Sequence, residues 1–146
     1  MKHILIVTSL LSTLTWLYME DIFAPGGVRW TNQLHQKLKT SSSLEALTDR
    51  ALYILDNYKR SIKPETKYQH FEEDIYEIKD TILLEKASSI KEYPTIKIRV
   101  IKNRAQELYI SWGVLGIGIV SKNGQARSHW YTREINKNVY VYFDEH

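Results

Sequence analysis

Three carboxylates at helical spacing, Glu73, Glu77 and Asp80, are the first residues whose arrangement suggests chemistry. On a helix they stack at successive turns, and a pair of carboxyl groups is the raw material of general acid–base work. They fall opposite an apolar seam of Phe71, Ile75, Ile78 and Ile82, where a helix meets water, so a solvated face accounts for them. Five histidines (His3, His35, His70, His129 and His146) are scattered without H-x-H or H-E-x-x-H spacing, and no metal site is expected. Gly113, Gly116 and Gly118 lie inside an apolar alternating run and read as small residues of a strand, not as a phosphate-cradling loop. There is no Cys, which removes thiol nucleophiles, zinc fingers, iron–sulfur ligation and lipoprotein attachment, and no G-x-S-x-G motif. The expectation is no catalytic group, no cofactor and no metal.

Basic residues interleaved with aromatics come late in the chain. Lys97, Arg99, Lys102, Arg104, Lys122, Arg127 and Arg133 are spread among Tyr109, His129 and Tyr131. A sheet face of this composition can stack bases and grip phosphates, but Tyr, Arg and His together are also the composition of a protein contact. The candidate partner-binding residues are Arg127, His129, Tyr131, Arg133 and Tyr109. A site around His129 and Tyr131 for a small ligand, or for an enzymatic reaction, is the alternative.

Positioning these groups depends on how the chain is organised. Lys2 and His3 form a short basic start, and residues 4–19 follow without a charge, led by Ile4, Leu5, Ile6, Val7, Leu10, Leu11, Leu14 and Leu17. Sixteen uncharged residues are long for a signal-peptide core and short for a full span of about 20. With Lys2 before and Glu20/Asp21 after, the pattern predicts a signal-anchor, or a cleaved signal peptide, over residues 1–24, with the remainder translocated. Ala24-Pro25-Gly26-Gly27 marks the break, and residues 25–146 are expected to form one domain.

Within that domain, helices are predicted at about 31–39 (stripe Trp30, Leu34, Leu38), 43–61 and 66–87. Capping boxes Ser42/Glu45 and Thr66/Gln69 open the second and third. The second carries Leu44, Leu47, Ala51, Ile54, Leu55 and Tyr58 on one face, and the last two should pair as a helical hairpin across Pro64. After Pro94 the apolar period becomes two, predicting strands at about 95–102, 107–112, 114–121, 125–135 and 139–143. The fold class expected is α+β: a helical hairpin on a 4–5-stranded antiparallel meander.

Asn123-Gly124 predicts a type I′ hairpin. That turn sets Ile117 opposite Trp130 on a buried face, and Gly118 opposite His129 and Gly116 opposite Tyr131 on the other, so that aromatic rings shield the bare glycine backbone. For the last hairpin the sequence leaves open whether Thr132 or Tyr131 faces Phe143.

At 146 residues the chain holds enough for one core without disulfides or metal. Its net charge of +3 divides unevenly: +2 over residues 1–40, −3 over 41–87 and +4 over 88–146. An acidic middle and a basic end suggest a dipolar domain with a docking cue. An apolar N-terminal segment followed by helices and an antiparallel meander broadly resembles type IV pilins, which would imply a filament subunit. The chain departs from that pattern, because no glycine-ended basic leader precedes the run and the first Glu is Glu20. The helices-then-sheet order also resembles the periplasmic domains of secretion-system subunits. The function expected is a non-enzymatic, membrane-anchored periplasmic module. It binds another protein, as an envelope or secretion-assembly subunit or an immunity- or inhibitor-type protein, and reaches the membrane through residues 4–19. It is inner-membrane anchored, or secreted to the periplasm after cleavage, and no nucleic acid is expected as a partner.

Overall fold

A computed structural model describes residues 26–58, 67–70 and 73–144. The anticipated signal segment, and the stretch around Pro64, lie outside these residues.

Helix α1 (Gly26–Lys39) is followed by α2 (Ser43–Asp56). A β-hairpin comes next, β1 (Lys67–His70) and β2 (Glu73–Glu77), then α3 (Thr81–Ile90). Five strands complete the chain: β3 (Thr95–Ile101), β4 (Arg104–Trp112), β5 (Leu115–Val120), β6 (Tyr131–Asn136) and β7 (Val139–Phe143). All seven strands join one antiparallel sheet in the order β1-β2-β3-β4-β5-β7-β6. The fold is α+β, with the helices on one face.

That face is the core. Ile96, Ile98 and Val100 of β3, Leu108, Ile110 and Trp112 of β4, Ile117 and Ile119 of β5, and Val139 and Val141 of β7 meet Leu34 and Leu38 of α1. Leu47, Ala51, Ile54 and Leu55 of α2 and Leu83, Ala87 and Ile90 of α3 complete it. The two-residue period of the strands points every second side chain toward the helices, and the 3–4 spacing on α2 and α3 returns the complementary stripe.

Of the helix predicted over 66–87, only the part from Thr81 on forms. Lys67–His70 and Glu73–Glu77 are strands, and β2 pairs with β3 so that Ile75 faces Arg99 and Tyr76 faces Ile98. A sheet edge offering a full ladder of hydrogen bonds outweighs a three-four spacing of isoleucines that strand alternation also accommodates. The helix restarts at Asp80, whose carboxylate accepts the Leu83 N–H at 2.9 Å. Its buried stripe is Leu83, Ala87 and Ile90, and Ile82, assigned to the seam by spacing, is exposed. Among the described residues, α2 is therefore followed by strands where the second helix of the expected hairpin was placed. Ser42 precedes α2 in helical backbone without a side-chain cap bond, and the Ser43 N–H donates to Ser41 Oγ instead. α1 begins at Gly26, five residues ahead of expectation, because Gly27 lets the helix close onto the Phe143 ring.

The meander is broken at its last step. β7, not β6, pairs with β5, so β5 and β6 run in the same direction. The chain leaving β5 must travel back along the sheet before β6 can start, which a two-residue hairpin cannot do. Residues 121–130 make that crossover. Neither Asn123 nor Gly124 has positive φ. They sit in a turn closed by Gly124 N–H to Ser121 O at 3.0 Å, and glycine is needed at 124 because its backbone lies against the Gln106 carbonyl. In the last hairpin Asn136 faces Val139, and a bulge between Glu134 and Asn136 then brings Tyr131 opposite Phe143. A two-residue turn and the Tyr131 register are thus both present, reconciled by one extra residue.

Candidate functional site

The sheet face turned away from the helices carries Arg99 from β3, Glu107, Tyr109 and Ser111 from β4, Gly116 and Gly118 from β5, and Tyr140 and Tyr142 from β7. Such a set normally faces water. Here the 121–130 crossover lies over it, and Tyr109, Tyr140 and Tyr142 form a second buried cluster, distinct from the main core. Rings do lie over the two glycines, but they are Tyr142 on Gly116 and Tyr140 on Gly118, not Tyr131 and His129. Trp130, expected to be the largest buried group opposite Ile117, is 53% exposed.

At the centre is Glu107, with no exposed surface. An isolated carboxylate there costs several kcal/mol. Four groups compensate. Tyr109 donates its hydroxyl proton to Oε2 at 2.6 Å and the Arg127 backbone N–H donates to the same oxygen at 3.0 Å. The Tyr140 hydroxyl donates to Oε1, and Arg99 Nε stands 3.3 Å from Oε2 as an ion pair outside hydrogen-bond geometry. Arg99, itself buried, donates to Glu73 Oε1 at 3.0 Å and to the Gln125 carbonyl. Arg99 and Glu107 thus tie the sheet to the crossover at Gln125 and Arg127.

His129 ties the far part of that segment. Its ring stacks on Tyr142 with centroids 4.1 Å apart, and Tyr109 meets it edge-on at 5.7 Å. Nδ1 lies 2.9 Å from Asp144 Oδ2 and Nε2 lies 2.9 Å from the Tyr140 hydroxyl, and the side chain is 2% exposed. Asp144 Oδ1 also accepts the Trp130 N–H at 3.4 Å. Burial raises the tyrosine pKa values above the ordinary range. The neighbouring Glu107 charge and its hydrogen bond add to this for Tyr109 and Tyr140, and the Asp144 charge adds to it for Tyr142, against the hydrogen bond from Ser111. Burial opposes the Arg99 charge, yet Tyr109, Glu107 and Glu73 hold its pKa above the usual value.

Of the residues singled out by sequence, Tyr109, Arg127 and His129 come together on this sealed face. Tyr131 and Arg133 do not join them. They share the parity of Phe143 and Val141, and Arg133 donates to Asn32 of α1 at 2.6 Å. Glu73, Glu77 and Asp80 separate likewise. Glu73 and Glu77 are on a strand, Glu73 pairs with Arg99, and Asp80 pairs with Arg50 at 2.6 Å while capping α3. Burial alone would raise the Asp80 carboxyl, but the Arg50 and Leu83 bonds and the Arg50 charge outweigh it and lower the pKa. Spacing overlooked Glu107, Tyr140 and Tyr142. The available signal was Val139–Phe143 itself, five apolar or aromatic residues without a charge, as befits a strand covered on both faces.

Open grooves remain among the described residues, and two of them lie at the ends of the sheet. One, of about 410 Å³, lies at the end of the sheet holding the β3–β4 and 121–124 turns, and is lined by Tyr58, Asn103, Arg104, Gln106, Ser121 and Lys122 among others. The other, about 370 Å³, lies at the opposite end between α1, α3 and the β4–β5 turn, with Trp30, Leu34, Lys37, Ile90, Lys91 and Trp112 in its walls. Trp112 there donates its indole N–H to the Lys91 carbonyl at 2.8 Å, and Lys37 Nζ donates to the Ile90 carbonyl at 2.6 Å. Among the described residues, no group of three or more His, Asp or Glu is placed to hold a metal ion, and no helix is long and apolar enough to cross a membrane. Compared with family models, curated proteins and solved structures, the chain matches none of them.

Proposed function

We propose that the chain is a non-enzymatic, membrane-tethered periplasmic module that binds another protein, of the envelope-assembly, secretion-assembly or immunity type. The observation that carries this reading is the closure of the outer sheet face. The groups with reactive or ligand-binding chemistry, Glu107, Tyr109, His129 and Tyr140, are spent on one another and on the crossover. What is left for a partner is surface shape and charge.

The groove by the β3–β4 turn supplies both. Arg104 and Lys122 are exposed in its wall against one exposed carboxylate, Asp56, Lys102 is exposed on the adjoining β3–β4 turn, and Asn103 and Gln106 add amide groups on turns held by the sheet. Loops fixed on a rigid scaffold are where binding residues concentrate. The complement is an acidic, polar segment of the partner protein, and the tether is residues 4–19.

A photo-crosslinking amino acid at Lys122 in intact cells tests this. The expected result is a covalent adduct of one discrete added mass, diminished several-fold by R104E, since charge complementarity governs the encounter. Crosslinking only to water, or a smear unchanged by R104E, contradicts the reading.

A further inference from the structure

The two ends of the sheet differ in chemistry. The distal end carries the basic turns at Lys102, Arg104 and Lys122. The proximal end is where the described chain begins: Gly27 packs on Phe143, the last residue of β7. Trp30 and Trp130 both lie against that same ring, at centroid distances of 6.4 and 5.5 Å, and remain 52% and 53% exposed. Tyr93 belongs to the same end, because residues 91–94 lead into Thr95, which pairs with Ser111 near the end of β4. It is 89% exposed, and its backbone has φ 57°, a conformation rarely adopted by a bulky residue. Of the five large hydrophobic side chains exposed among the described residues, three are therefore at this one end.

Exposing two tryptophans and a tyrosine to water forgoes burial free energy that each would otherwise contribute. The backbone of Trp130 is tied to the crossover network, because its main-chain N–H donates to Asp144, which also meets His129. Aromatic rings with a polar edge are the side chains that settle at the boundary between headgroups and acyl chains. Chain length then selects the occupant of this end. Six residues, Glu20 to Pro25, separate the uncharged run from Gly26. Fully extended they span about 20 Å. If residues 4–19 lie in a bilayer, α1 must start within that reach of its surface.

We infer that Trp30, Tyr93 and Trp130 form an aromatic rim that seats the proximal end of the domain in the headgroup region of the membrane, leaving the distal basic turns facing away from it. This inference rests on the tether of the proposed function and adds an orientation to it. The rim holds the module upright.

Because the chain has no Cys, single nitroxide labels report unambiguously. The full chain is reconstituted in phosphatidylcholine vesicles with a minor share of phosphatidylglycerol, labelled in turn at L11C, E92C and K122C. Accessibility to oxygen and to a water-soluble nickel chelate is read for each. The expected result is a label at 92 shielded several-fold from nickel relative to 122, and one at 11 shielded more deeply. W30S/Y93S/W130S on the E92C background should abolish the shielding at 92 while far-UV circular dichroism stays unchanged. A label at 92 as nickel-accessible as 122, with 11 in the hydrocarbon, overturns the rim and leaves the tether standing. If 11 is itself in water, the tether fails and the rim with it. Shielding at 92 that appears only in native envelopes assigns this end to a protein, and shielding that survives the triple serine variant removes the aromatics; either overturns the inference.

Discussion

Glu107 shows what a single residue does here. It lies within a strand whose neighbours Leu108 and Ile110 point into the core, and its own side chain points to the other face, where the crossover removes it from water. No local pattern announces it, because its partners Arg99, Tyr109, Arg127 and Tyr140 come from three strands and a loop. Tyr109 and His129 were legible as notable residues, but their role as internal struts was not, since it depends on what covers them. The three tyrosines give the network a pH limit. A tyrosine that holds its proton more tightly in the fold than in the unfolded chain contributes stability fully below its ordinary value near 10 and loses it as pH rises beyond that. Tyr109, Tyr140 and Tyr142 all shift in that direction. Urea unfolding should therefore show stability falling above about pH 10, by about 1.4 kcal/mol per pH unit for each tyrosine. Y142F should make the fall shallower, and a stability curve flat to pH 11 would show that these hydroxyls are not buried.

Among the elements, the crossover at 121–130 decides most. The strands expected at about 95–102, 107–112, 114–121 and 139–143 form, because alternation of apolar and polar residues is a local signal, but β4 starts earlier, at Arg104, and the strand expected over 125–135 starts only at Tyr131. Which strand neighbours which is not local. Asn-Gly chemistry favours a tight hairpin, yet inserting β7 between β5 and β6 buries Tyr140, Val141 and Tyr142 on both faces, while the charged β6 takes the edge. The misread helix at 66–87 has the same origin, since an open β3 edge was invisible to spacing. The β5–β7 contact makes a sharp prediction. A methyl group on Gly118 would occupy the space of the Tyr140 ring, whereas one on Gly26 would meet nothing. G118A should cost about 2–3 kcal/mol in urea unfolding, at the upper range of overpacking because the displaced hydroxyl also leaves Glu107. G26A should be close to neutral. Equal effects at the two positions would contradict the register.

At the scale of the molecule, the division of charge takes on a different meaning. The acidic middle and basic end of the sequence are adjacent strands: β2 pairs with β3, Glu77 faces Lys97, and Glu73 bridges to Arg99. Part of the apparent dipole is thus neutralised inside the sheet, and Lys102, Arg104 and Lys122 remain exposed at the distal turns. Fold class was legible from the order of patterns; the polarity between an aromatic proximal end and a basic distal end was not, because it arises only when seven strands are aligned. Both the proposed function and the aromatic rim require residues 4–19 to hold the domain at a membrane surface. The most direct test is to fractionate cells expressing the full chain, wash the membranes in high salt, and take an intact mass. The expected result is the 17.2 kDa chain in the membrane pellet, digested by protease added from the periplasmic side. A chain recovered in the soluble fraction, or protected from that protease in intact spheroplasts, would contradict it.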